Sequence, residues 1–156
     1  MQLHLIAVGT KQPHWVDEAY REYASRFPGE FPLTLKEIKA EPRTLGKTVE
    51  AMMQSEATRI RQALATGSLL VTLDERGRTL TSVALAQQLD RWRLDQSAVS
   101  FVIGGPDGLD PGLKAEAALS IRLSDFTLPH GMARVLLTEQ LYRAWSILTG
   151  HPYHRS

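Results

Sequence analysis

The sequence predicts an α/β fold, a parallel-rich sheet with helices on both faces. Two observations carry this reading. Five strand-like runs alternate with five segments of helical spacing, and two of the runs, 68–73 and 98–103, are apolar nearly throughout, as strands buried on both faces are. The 156 residues also suit one domain, and no repeat, linker or low-complexity stretch divides them.

Residues 3–8 form an apolar run that ends at Gly9, a first strand. Trp15, Ala19, Tyr20, Tyr23 and Phe27 share one side of a helix that Pro28-Gly29 stops. Residues 31–38 alternate, with Phe31, Leu33 and Leu35 set against Pro32, Thr34 and Lys36, the pattern of a strand. A polar loop over 40–46 leads into a long helix over 47–65, with Val49, Met52, Met53, Ile60 and Leu64 inward. The buried strand 68–73 closes in a turn over 74–78, and Thr81 or Ser82 caps a helix that runs to Trp92. The buried strand 98–103 runs into Gly104-Gly105-Pro106-Asp107-Gly108. A short helix over 111–118, a strand over 120–123, a loop through Thr127-Leu128-Pro129-His130, a helix over 132–148 and a tail over 151–156 complete the chain.

Composition narrows the function. At 43% apolar and 22% charged, the chain can build a sizeable core. No apolar run reaches the roughly 18 residues of a membrane-spanning helix. There is no cysteine, which excludes disulfides, thiolate metal sites and a cysteine nucleophile. The opening MQLHLIAVGT lacks the basic start and cleavage site of a secretory signal, so a cytoplasmic enzyme or binding protein is expected. Lys and Arg number 18 against 17 Asp and Glu, a net +1, too neutral for gripping nucleic acid by bulk charge. Beyond Phe126 the only acid is Glu139, while Arg134, Arg143, Arg155 and three histidines are basic. A basic C-terminal patch and a solvated helix face both fit.

Open α/β sheets bind ligands outside the carboxyl ends of their strands. Those ends are Leu73-Asp74, Ile103-Gly104-Gly105 and Leu123-Ser124. Two glycines after a buried strand permit close backbone approach or positive φ, as a ligand loop or a tight turn needs. The loop matches neither the dinucleotide nor the P-loop fingerprint. Residues 123–128 set backbone groups beside apolar side chains, which suits a flat base such as adenine or an ordinary capped helix start. His4, His151 and His154 lack metal-site spacing, and no metal is expected. The last helix is apolar on several sides, so it is central to the fold or half of a dimer interface. Its Arg143 then calls for a specific partner. The tail His151-Pro152-Tyr153-His154-Arg155 has a composition for gripping a base and its phosphate, or is a disordered end.

Val8-Gly9-Thr10, Val71-Thr72-Leu73-Asp74, FVIGGPDGL at 101–109, Leu128-Pro129-His130, EQLYRAWS at 139–146 and HPYHR at 151–155 together resemble the RlmH family of SPOUT-class methyltransferases, from the first residue to the last. The resemblance implies a single SPOUT domain over 1–156 with a C-terminal trefoil knot, a rare exception to unknotted chains. It implies S-adenosyl-L-methionine as cofactor, lined by Leu73, Gly104, Leu123, Ser124, Asp125, Phe126, Thr127 and Leu128. It further implies a homodimer with sites at the interface, and methylation of N(3) of a pseudouridine in 23S, large-subunit ribosomal RNA on the assembled ribosome. Such an imide nitrogen must lose a proton. On that chemistry Tyr153 would stack on or hydrogen-bond the base and Arg155 would hold a phosphate or developing anion. His154 or His130 would accept or relay the proton. Two other classes compete. Another nucleotide-using enzyme would need a phosphate-binding turn that Val8-Gly9-Thr10-Lys11 does not supply. In a non-catalytic ribosome-associated dimer the glycines would be packing devices only.

Overall fold

The computed structural model describes residues 1–155. In chain order it contains β1 (Gln2–Val8), α1 (His14–Ala24), β2 (Leu33–Ile38), α2 (Val49–Ala63), β3 (Leu69–Thr79), α3 (Ser82–Trp92), β4 (Ala98–Ile103), α4 (Pro111–Glu116), β5 (Leu119–Arg122), α5 (His130–Thr149) and a 3-10 turn (Pro152–Arg155). All four strand pairings are parallel and the strand order is β2-β1-β4-β3-β5. The α/β reading holds. Among the described residues no helix is long and apolar enough to cross a membrane.

Period-two alternation explains why the central strands are apolar on both faces. Leu3, Leu5 and Ala7 of β1 join Phe101 of β4 and Leu89, Leu137 and Leu141 of α3 and α5 in one cluster. Ile6 and Val8 point the other way, to Ala57 and Ile60 of α2 and Leu113 of α4. Each fully buried side chain of this size contributes about 1.5–3 kcal/mol of hydrophobic free energy. Caps fix the helix starts. Thr48 accepts from the Ala51 amide at 3.1 Å, and Thr81, rather than Ser82, accepts from Ala84 at 3.0 Å. Gly150, with φ 72°, ends α5 in the left-handed region.

Three expectations need correction. The turn over 74–78 is instead the irregular second half of β3, which re-forms its pairing with β5 at Arg78 and Thr79 after a bulge. Gly77 permits that approach, since a Cβ there would lie 2.6 Å from the Ile121 carbonyl carbon. The tail is not a disordered end. It folds back on α5, where the Ser146 hydroxyl donates to the His151 carbonyl (2.8 Å) and accepts from the His154 amide (3.1 Å). Third, Arg134 and Arg143 are not part of a free basic patch. Arg134 is fully buried and pairs with Glu37 at 2.8 Å, and Arg143 pairs with Glu139 at 2.7 Å. That second pair is the partner Arg143 called for.

Candidate functional site

The carboxyl ends of β1, β3, β4 and β5 open into one cleft of about 770 Å³, within the range of small-molecule sites. Its walls include Val8 and Gly9, residues 73–76, residues 103–109, residues 121–124 and 126–128, and His130 and Ala133 of α5. The glycine loop is turn and wall at once. Gly108, at φ 83°, donates its amide to the Gly105 carbonyl at 3.0 Å. A Cβ on Gly104 would sit 2.8 Å from the Gly108 carbonyl carbon, so this position leaves no room for a side chain. Apolar faces come from Leu73, Leu123, Phe126 and Leu128. The Ser124 hydroxyl accepts from the Phe126 amide at 2.9 Å, which shapes the loop.

Asp74 and His130 are titratable groups of the cleft with defined partners. Asp74 accepts from Lys114 at 2.9 Å. Burial alone would raise its carboxyl, but the Arg76 amide and Lys114 together hold it below the usual carboxylate value. His130 uses both ring nitrogens. Nδ1 lies 3.1 Å from the Gly104 carbonyl, and Nε2 lies 3.1 Å from Arg134 Nη2. Burial first and Arg134 second push its imidazole below the ordinary value.

Leu73, Gly104, Leu123, Ser124, Phe126, Thr127, Leu128 and His130 are therefore brought together in one cleft. Asp125 is not among its walls and pairs outward with Arg122 at 3.2 Å. Tyr153, His154 and Arg155 are not among the cleft walls; they follow α5 in the chain, and Tyr153 and His154 fold back along it. Tyr153 donates to Glu139 at 2.7 Å, under the Arg143 guanidinium at 5.0 Å. Burial, then this bond, push its phenol well up, so it is neutral. Ser146 has one proton and gives it to the His151 carbonyl. The 2.8 Å contact with His154 Nδ1 is then donated by the ring. Among the described residues no group of three His, Cys, Asp or Glu side chains could hold a metal.

Sequence reasoning missed Arg134 and Glu37 as parts of this site. The available signal was spacing, because Arg134 stands one helical turn after His130 and on the same face.

A sequence model described as "Predicted SPOUT methyltransferase" matches residues 1–154. The chain belongs to the SPOUT methyltransferase family. As a SPOUT methyltransferase it is 58% identical over 156 residues to "Ribosomal RNA large subunit methyltransferase H" of Bordetella avium, with all of both chains covered. It is 56% identical to the protein of that name from Ralstonia pickettii, over 99% of each chain. Solved structures share the fold at low identity. A probable methylase family protein from Haemophilus influenzae has a TM-score of 0.59 at 15% identity, covering 97% of this chain and 69% of that one. A structure concerned with 2-OH methylation of C/U34 on tRNA gives 0.53 at 18% identity, covering 96% and 97%. The SPOUT chain is an enzyme of methyl transfer.

Proposed function

We propose that this enzyme carries a methyl group from S-adenosyl-L-methionine to N(3) of a pseudouridine in large-subunit ribosomal RNA, acting on the assembled ribosome as a cytoplasmic homodimer. One observation carries the reading: the cleft at the strand ends, with its apolar faces, its backbone groups at 123–128 and the side-chain-free approach at Gly104. Full-length relatives named for large-subunit ribosomal RNA methylation support the substrate. The residues fit the cofactor. Leu73, Leu123, Phe126 and Leu128 offer the apolar surface a purine needs, Thr127 and Ser124 flank it, and Gly104 leaves space beside it. Asp125 would join this set only if its loop turned inward on binding. The bound cofactor supplies an electrophilic methyl on a sulfonium. A trefoil threading of the C-terminal segment belongs to the same proposal.

The chain's own residues then position and deprotonate. In-line displacement needs the nitrogen opposite the leaving sulfur, so much of the rate is orientation. The bound donor would supply the methyl to the nitrogen's electron pair and leave as a neutral thioether, and the imide proton must go to a base. Tyr153, neutral and aromatic, stacks on the base, and Arg155, exposed at the chain's end, holds a phosphate or the imide anion. His154 takes the proton. Its Nδ1 donates to Ser146, which leaves the electron pair on Nε2. Since the tail lies along α5 away from the cleft of its own chain, the tail of a second copy would complete the site.

Mass spectrometry of large-subunit ribosomal RNA from cells with and without the protein tests the reaction. The N(3)-methyl mark should vanish from one pseudouridine. An unchanged modification profile overturns the substrate assignment. Calorimetric titration should show S-adenosyl-L-methionine binding and no NAD binding.

A further inference from the structure

We infer that Arg134 locks His130 as a neutral ring protonated on Nδ1, whose task is to hold the Gly104 carbonyl at the cleft wall. His130 is then a positioning residue for the methyl donor and not the acceptor of the substrate proton. The inference rests on the proposed function for the identity of the donor, and on geometry for the clamp.

Hydrogen-bond roles decide the ring's state. A carbonyl oxygen only accepts and a guanidinium only donates. The Gly104 carbonyl at 3.1 Å therefore requires a proton on Nδ1, and Arg134 Nη2 at 3.1 Å requires an electron pair on Nε2. Both nitrogens are spent. To accept a proton, Nε2 would have to release Arg134 and leave a second cation, on a half-buried ring, against a guanidinium that is fully buried. Such an arrangement is disfavoured where solvent screens only one of the two charges.

Arg134 is itself well held. Its side chain is 0% exposed, Nη1 donates to Glu37 of β2 at 2.8 Å, and Nη2 also donates to the Gly9 carbonyl at 3.2 Å. The charged groups facing His130 are Arg134 from its own helix and Glu37 from β2. Tyr20 of α1, beside Arg134, is pushed up to about 12 by burial, so Glu37 is the working countercharge. One guanidinium thus ties the ends of β1 and β2 to α5, and through His130 to the end of β4. A neutral ring also places no positive charge beside a sulfonium donor.

Nitrogen-15 NMR of histidine-labelled, full-length protein reads the clamp without any cofactor. The resonance lost in His130→Asn should be a neutral, Nδ1-protonated ring at pH 6.5, the ordinary histidine value. Glu37→Gln should lower its titration further, because Glu37 favours the charged ring. A charged ring at pH 6.5, or protonation on Nε2, overturns the clamp. Two variants that cannot accept a proton then separate the roles. Asn places an amide near the Nδ1 position and Gln near the Nε2 position. His130→Asn should keep donor affinity within about threefold, and His130→Gln should lose about tenfold, the worth of one hydrogen bond. With saturating donor both should keep kcat within a few fold. A fall of about a hundredfold or more in kcat in both variants, with donor affinity intact, makes His130 the base and overturns the positioning role. Failure of the wild type to bind S-adenosyl-L-methionine overturns the proposed function and the positioning role together. The ring's tautomer still decides the clamp, so the two failures are told apart.

Discussion

His4 stands in β1 opposite Thr34 and Ser100, 8% exposed, and neither ring nitrogen has a partner among the described residues. Burial first, then Lys36, lower its pKa. The unfolded chain takes up the proton near the ordinary value of about 6.5. His4 therefore adds no pH dependence above that value, and stability is lost as pH falls through it towards the folded pKa. His130 acts with the same sign. His4→Leu should flatten the decline in Tm between about pH 7 and pH 5. A decline as steep as that of the wild type in this variant would show that the ring is not buried neutral. Gly104 gives a second prediction at this scale. Gly104→Ala forces a methyl against backbone 2.8 Å away, which costs about 1–3 kcal/mol and should abolish donor binding by calorimetry. This site was legible in the sequence because glycine pairs after buried strands are conspicuous. Arg134 was not, because its carboxylate partner lies 97 positions away and only the fold brings them together.

At the scale of elements, apolar runs and caps gave away nearly every strand and helix. The second half of β3 stayed hidden, because its residues are polar and only Arg78 and Thr79 resume pairing with β5, more than 40 positions on. The segment before α2 read only as a polar loop for a similar reason. Its order comes from ion pairs with distant residues. Glu56 of α2 is 2% exposed and accepts from the Glu41 amide and Arg43, both at 2.9 Å, and Arg43 reaches Asp107 of the glycine loop at 2.8 Å. Lys47 and Arg59 hold Glu41 well below the usual carboxylate range. The segment is thus fastened to the wall of the cleft. Glu56→Ala should cost about 3 kcal/mol, since a buried amide and a guanidinium lose their acceptor, and Glu56→Gln about 1 kcal/mol. Limited trypsin digestion should cut Glu56→Ala at Arg43 and Lys47 well before the wild type. Equal cutting rates would mean that the ion pairs do not order the segment.

The whole molecule raises the question of which tail serves which cleft. Within one chain, Tyr153 reaches back along α5 as far as Glu139, nine residues from His130, or about 13 Å of helix rise. The ring contacts of Tyr153 with Tyr142 and Arg143 hold it on that side. In a twofold dimer the tail of one copy can meet the cleft of the other, and symmetry makes two equal composite sites. Complementation separates this from a tail that serves its own chain. One variant lacks residues 151–156 and keeps its cleft; the other carries Gly104→Ala and keeps its tail. Each homodimer should be inactive in methyl transfer. When they are mixed and allowed to exchange, the heterodimer has one site with an intact cleft and an intact tail, and one with neither. Random exchange makes half the dimers mixed, so about a quarter of wild-type turnover should return. With tails acting in cis, no chain would hold both parts and nothing would return. Size measurement confirms the exchange, and donor binding by the tail-deleted chain confirms that its cleft is intact. A silent mixture under those two conditions would rule out the composite site.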